Sequence, residues 1–199
     1  PHLIYLPEAA FDTEEFLADV SRLLETCSNV IVAVSEGIRD KDGKYISAST
    51  GKVDNFGHSQ LSGAGKTLEY LVQDRLDVKV RSIELNILQR CGAHIASKTD
   101  LDESFQEGNH GVALAAEGKT GLMVTIQRTS NAPYTVTYGS APVCEIANGV
   151  KAVPSEFIND RGNDVTEGLV SYVKPLIQGE SEVSFCEGMP AYLPVPHLV

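Results

Sequence analysis

The chain has 199 residues, enough for one large domain or one and a half ordinary ones, and its 42% hydrophobic and 22% charged content is ordinary for a soluble globular protein. A net charge of −11 argues against a nucleic-acid partner, because nothing basic is concentrated enough to track a phosphate backbone; small phosphorylated ligands need only a few cations gathered in a cleft. The longest apolar run falls far below the roughly 18 residues of a membrane helix.

No secretory leader is visible at the start. Pro1 stands where an initiator Met would, and Leu3 to Leu6 goes straight into an apolar strand ended by Pro7, the pattern of a piece of something longer. Asp12 or Thr13 can cap the next element, with Glu14 and Glu15 in its first turn. Phe16, Leu17, Val20, Leu23, Leu24 and Cys27 then recur at helical spacing, predicting an amphipathic helix to about Thr26. Asn29 to Val34 is a second apolar strand, ended by Ser35-Glu36-Gly37. Strand, helix and strand at this spacing predict a βαβ unit and a parallel sheet. In such sheets ligands sit beyond the carboxyl ends of strands, where Glu36 falls. There Glu36 is either an acceptor for a sugar hydroxyl or a solvated loop carboxylate.

Residues 38–62 are polar and glycine-spotted, with a turn at Asp42-Gly43, and are expected to form a long excursion from the sheet. Gly63-Ala64-Gly65-Lys66-Thr67 fails as a phosphate loop, because Gln60 stands where the first glycine is needed. It reads as a turn opening a helix whose buried face is Leu68, Leu71, Val72 and Leu76.

The stretch Val78–Gly92, VKVRSIELNILQRCG, begins with near period-two alternation and is predicted as the central strand. Arg81 and Arg90 bracket it. Guanidinium forks at both ends can hold a phosphate or carboxylate. Pairing with the many acidic neighbours is the plainer alternative.

Thr99 is expected to cap a helix buried through Leu101, Phe105, Val112, Ala115 and Ala116 and ending near Gly118. Gly108 and Gly111 weaken it or mark close packing. Leu122–Ile126 and Tyr134–Tyr138 predict a hairpin around Asn131-Ala132-Pro133. Pro154–Ile158 starts a short helix, and Asn163-Asp164 caps a last one running to Pro175. A tail with Pro190, Pro194 and Pro196 reads as irregular.

Cys27, Cys91, Cys144 and Cys186 lie far apart without zinc-ligand spacing, so free thiols in a cytosolic protein are expected. His2, His58, His94, His110 and His197 show no metal-site spacing. There is no GxSxG, HExxH or GxGxxG motif. Residue chemistry alone stops at an α/β domain with an anion cleft.

Five stretches carry a resemblance beyond that: HLIYLPE, NVIVAVSEGIRDKDGKYI, FGHSQLSGAGKTLEYLV, KVRSIELNILQRCGAHIASKTDLDESF and NDVTEGLVSYVKPLIQGE. In order and together they span nearly the whole chain. The chain resembles the C-terminal half of a 6-phosphofructokinase, most closely the pyrophosphate-dependent branch.

The resemblance implies a three-layer α/β fold, a mainly parallel sheet with helices on both faces. Residues 1–199 would be the sugar-phosphate-binding portion, with the donor-binding half and its catalytic aspartate upstream and residues 93–145 packing on that half. It implies Glu36 as the ligand of the sugar of fructose 6-phosphate, Arg90 of the LQRCG motif as a phosphate contact, and Arg81 as an arginine reaching the phosphate from a neighbouring subunit. The family has His or Tyr where Ile87 stands, so Ile87 is expected to line the pocket only; Cys91 stands where the ATP-dependent enzymes have Gly.

Further implications are magnesium held mainly by the other half, diphosphate or ATP as donor, a homo-oligomer, a cytoplasmic glycolytic role, and inactivity of this portion alone. A non-catalytic sugar-phosphate-binding or regulatory module is the alternative, favoured by Ile87 and opposed by Glu36, Arg81 and Arg90.

Overall fold

The structure, a computed structural model, describes residues 1–53 and 59–191, and the side-chain surroundings of these outside 48–62 and 93. His58, His197, Pro194 and Pro196 lie outside the described residues. The chain folds as two units, Pro1–Leu85 with Ala152–Val170, and Asn86–Lys151 with Ser171–Val199.

In the first unit, β1 (Leu3–Tyr5) and β2 (Val32–Val34) pair in parallel, with Tyr5 opposite Val34. Parallel neighbours need a crossover, supplied by α1 (Thr13–Leu24). Of the two candidate caps, Asp12 is the one used: its extended backbone lets the carboxylate accept from the N–H groups of Glu14 at 2.9 Å and Glu15 at 3.0 Å. The α1 stripe of Phe16, Leu17 and Val20 is buried with Leu3, Tyr5, Phe11, Ile38, Leu68 and Val72. Tyr5 meets Phe11 and Phe16 edge-on, with ring centroids 5.0 and 5.7 Å apart. Each such large side chain contributes about 1.5–3 kcal/mol when fully buried.

The excursion after β2 is more ordered than its polarity suggests. Asp40 Oδ1 accepts from the N–H groups of Asp42 and Lys44 and closes the turn at Gly43, whose φ of 79° suits glycine. β3 (Ala48–Val53) and β4 (Ser59–Ser62) then pair antiparallel. Gly63, at φ 83°, turns the chain into α2 (Ala64–Leu76), which buries Leu68 and Val72, as its spacing predicts.

The predicted central strand is absent. Residues 77–85 form no ladder; Val78 and Val80 pack against the core, and Asn86 starts the short helix α3 (Asn86–Cys91). An extended run becomes a strand only beside a strand that takes its backbone hydrogen bonds. Here the N–H of Ser82 goes instead to the side chain of Glu69. Beyond it, Leu85, Ile87 and Leu88 break the alternation and suit a helix equally well.

In the second unit, a 3-10 turn (Ala93–Ile95) follows α3 and leads to α4 (Lys98–Ala116). Its cap is Ser97, not Thr99: Ser97 Oγ accepts from the N–H of Asp100 at 3.1 Å, while Thr99 Oγ1 donates to the carbonyl of Gln178. The Ser-x-x-Asp spacing at 97–100 is the sequence signal for that cap. β5 (Leu122–Asn131) and β6 (Tyr134–Pro142) form the predicted hairpin, Ile126 facing Tyr138. At Gly111 an added Cβ would lie 3.5 Å from Val124 Cγ2, so this glycine marks where α4 crosses β5; Gly108 faces open space.

The expected burial along α4 is not found: Leu101, Phe105 and Val112 are 44%, 67% and 71% exposed. No element of this unit covers that stripe among the described residues. After α5 (Val143–Ile146), the segment Ala152–Val170 returns to the first unit with a 3-10 turn at Ser155–Phe157. Asn163 does not cap the next helix. It is buried, bonded to Asp19, and α6 (Glu167–Val173) starts four residues later. Past a 3-10 turn at Lys174–Ile177, a short ribbon joins β7 (Phe185–Cys186) to β8 (Met189–Pro190). Among the described residues no helix is long and apolar enough to cross a membrane.

Candidate functional site

Glu36 sits in the turn that leaves the carboxyl end of β2. Ser35 Oγ accepts from the N–H of Gly37 at 3.3 Å and shapes that turn. Glu36 Oε1 accepts from the N–H of Ala64 at 3.1 Å, the first residue of α2. Gly63 offers no side chain to that helix end, so the carboxylate acts as a remote cap.

Arg81 precedes Ser82 in the segment that follows α2. Its neighbour Ser82 lies against α2: a Cβ added to Gly65 would stand 3.4 Å from Ser82 Cβ. Ser82 is held by Glu69, whose Oε2 accepts from the Ser82 N–H at 2.7 Å and from its Oγ at 2.5 Å. Lys66 Nζ donates to Glu69 Oε1 at 2.6 Å. The Lys66 hydrogen bond first, then those of Ser82, draw the Glu69 carboxyl down to about 2. The first unit thus places Glu36 and Ser82, the residue after Arg81, against the N-terminal half of α2.

Ile87 and Arg90 belong to the second unit. Three residues apart on α3, they share a helix face, and Ile87 is 71% exposed. Arg90 is also exposed.

The seven arginines sort by partner. Arg22 and Arg161 pair with Asp19 at 2.6 and 2.7 Å. Arg75 grips Glu14 through two nitrogens, at 3.0 and 2.9 Å. Arg39 lies over the Tyr45 ring and bonds its hydroxyl. Arg128 lies 4.7 Å from the Tyr134 ring and 4.1 Å from the Tyr172 ring. The side chains of Arg81 and Arg90 make no ion pair, hydrogen bond or ring contact with the described residues. Among the described residues these two do not pair with acidic neighbours.

Two features escape the sequence reading. Asp19, 2% exposed, lies on the apolar stripe of α1 and ties Arg22, Arg161 and Asn163 together. A carboxylate three residues after Phe16, inside the stripe, was the available signal. Glu69 was hidden in what looks like an ordinary i,i+3 surface pair with Lys66.

A groove of about 590 Å³ runs beside Thr13, Lys44, Tyr45, Ser47, Thr67 and Leu71, and none of the four predicted site residues lines it. Among the described residues no three His, Cys, Asp or Glu side chains converge.

No family model matches the chain. A pyrophosphate–fructose 6-phosphate 1-phosphotransferase of Halomonas elongata is 38% identical over 190 residues, covering 96% of this chain and 45% of that protein. One of Methylococcus capsulatus is 38% identical over 191 residues, with the same coverage of 96% and 45%. The crystal structure of a pyrophosphate-dependent phosphofructokinase from Nitrosospira multiformis superposes with a TM-score of 0.80 at 33% identity, over 97% of this chain and 45% of that one. The chain spans about half the length of the curated relatives it matches. Along the portion it spans, the chain belongs to the family of the pyrophosphate-dependent phosphofructokinases.

Proposed function

We propose that this chain is the fructose 6-phosphate-binding, C-terminal portion of a cytosolic, homo-oligomeric enzyme that transfers a phosphoryl group from diphosphate to the 1-hydroxyl of fructose 6-phosphate in glycolysis. The observation that carries this reading is the match, over 96% of the chain, to proteins named for that reaction. Glu36 binds the sugar through the carboxylate that Ala64 holds. Arg90 binds the 6-phosphate and Arg81 reaches the phosphate held by a neighbouring subunit, and their lack of carboxylate partners among the described residues supports these roles. Ile87 lines the pocket. Free arginines aimed at a phosphate explain how an acidic protein takes an anionic substrate.

The catalytic base, the donor and magnesium would belong to the remaining portion of the enzyme, where magnesium would supply charge neutralisation for the transferred phosphoryl group. Residues 93–145 pack on that portion, which the exposed Leu101, Phe105 and Val112 support. The β1–β2 ladder is then part of a wider, mainly parallel sheet with helices on both faces.

Two measurements test the reading. With magnesium, fructose 6-phosphate and either diphosphate or ATP, the 199-residue chain alone should show no turnover. The full-length enzyme should turn over with diphosphate and lose fructose 6-phosphate affinity in Arg90→Ala. Turnover by the chain alone, or wild-type affinity in the variant, overturns the assignment of this portion as the acceptor site.

A further inference from the structure

Glu69 is placed to do more than pair with Lys66. Its side chain is only 13% exposed, and both its oxygens are occupied, one by Lys66 and the other by two donors of Ser82. The segment it grips has no strand beside it among the described residues. What fixes residues 78–82 is the packing of Val78 and Val80 on the core and the grip of Glu69 on Ser82. Arg81 lies between those two anchors. Side chains alternate along an extended backbone, so with Val80 and Ser82 turned inward Arg81 is left on the exposed side. The same contacts keep Glu69 from competing for the guanidinium, because Lys66 and Ser82 already fill its carboxylate.

We propose that Glu69 is a positioning residue of the sugar-phosphate site, clamping Ser82 so that the Arg81 guanidinium is presented to the ligand phosphate in a fixed place. This inference rests on the reading of Arg81 as a phosphate contact. A guanidinium on an unanchored segment must be ordered on binding, and that cost lowers affinity. Glu69 removes the cost in advance. It touches no reacting atom, so its loss should act on substrate affinity rather than on turnover.

The test is a double-mutant cycle in the full-length enzyme, reading KM for fructose 6-phosphate and kcat separately. Arg81→Ala should raise KM by roughly tenfold or more. Glu69→Ala should raise KM by a similar factor with kcat nearly unchanged, and the double variant should be no worse than Arg81→Ala alone. Ser82→Ala, which removes only the hydroxyl donor, should raise KM by a smaller factor and serves where Glu69→Ala does not fold. Glu69→Gln, whose amide oxygen can still accept from the Ser82 N–H, should recover part of the loss.

If Arg81→Ala leaves KM unchanged, the reading of Arg81 fails and the inference falls with it. If Arg81→Ala raises KM while Glu69→Ala and Ser82→Ala lower only the melting temperature, or if the effects of Glu69→Ala and Arg81→Ala simply multiply, the clamp alone is overturned.

Discussion

Asn163 Nδ2 donates to Asp19 Oδ2 at 2.5 Å, joining two residues 144 positions apart. The bond closes a network in which Arg161 and Arg22 share the other carboxylate oxygen. It also locks the returning segment onto β1, where the N–H of Ile4 donates to the carbonyl of Asn163 at 2.9 Å. Burial works against the ionised Asp19, but the hydrogen bonds of Arg161 and Asn163 outweigh it and hold its carboxyl below the usual carboxylate value. Asp19→Asn puts an amide where three donors converge. It should cost about 2–3 kcal/mol, read as a lower urea midpoint at neutral pH. Because the folded-state pKa is depressed, the stability from Asp19 is complete above the usual carboxylate range and is lost as pH falls through the folded value. The gap between wild type and variant should therefore close in acid; a gap of constant size would mean that the carboxylate charge is not what matters.

Tyr5 offers a prediction of the opposite sign. Its hydroxyl is buried and finds no hydrogen-bond partner among the described residues. Burial first, and the nearby Asp19 charge second, push it up to about 12. Tyr5→Phe keeps the ring contacts with Phe11 and Phe16 while removing the unsatisfied group. It should stabilise the protein by about 1 kcal/mol at pH 7. The folded state also holds the phenol proton more tightly than the unfolded chain, so wild-type stability should fall as pH rises from 10 towards 12. The variant should lack that component of the decline, which denaturation at a series of alkaline pH values would read.

Arg90 should be intolerant even of lysine. A guanidinium binds a phosphate through two parallel hydrogen bonds, whereas an ammonium is a point charge on a flexible stem. Arg90→Ala should weaken fructose 6-phosphate binding by one to two powers of ten, and Arg90→Lys should recover only part of that. Calorimetric titration of the full-length protein measures both. The helix α3 makes no buried contact through Arg90, so the melting temperature without ligand should not move.

How much of this was legible in the sequence depends on where the deciding partner lies. The β1–α1–β2 unit was readable because Phe16, Leu17 and Val20 mark a helix face and Asp12 caps it within three residues. The stretch from Val78 was misread because its fate is decided by a neighbour, and the Ser82 N–H finds Glu69 thirteen residues away instead of a strand. The α4 stripe has the right spacing, yet nothing among the described residues of its own unit covers Phe105. Asn163 has the composition of a cap and serves instead as the partner of a buried carboxylate. For the proposed site, Glu36 is a candidate from its place after β2, and the structure adds its bond to Ala64. Glu69 was not legible, because its pairing with Lys66 is what any surface helix shows.

The cap of α2 and the proposed sugar contact are two roles of Glu36 that substitution can separate. One oxygen accepts from the N–H of Ala64 and caps α2; the charge is what a sugar hydroxyl would recognise. Glu36→Gln keeps an oxygen for Ala64 and removes the charge, so it should leave stability within about 0.5 kcal/mol of wild type while weakening fructose 6-phosphate binding. Glu36→Ala removes both and should add a loss of about 1 kcal/mol in stability, the ordinary cost of an absent helix cap. Thermal denaturation without ligand, set beside titration with fructose 6-phosphate, distinguishes the two variants. Equal binding by wild type and Glu36→Gln would reduce Glu36 to a structural cap and move the sugar contact elsewhere. Equal stability of Glu36→Ala and wild type would mean instead that water satisfies the Ala64 N–H as well as the carboxylate does.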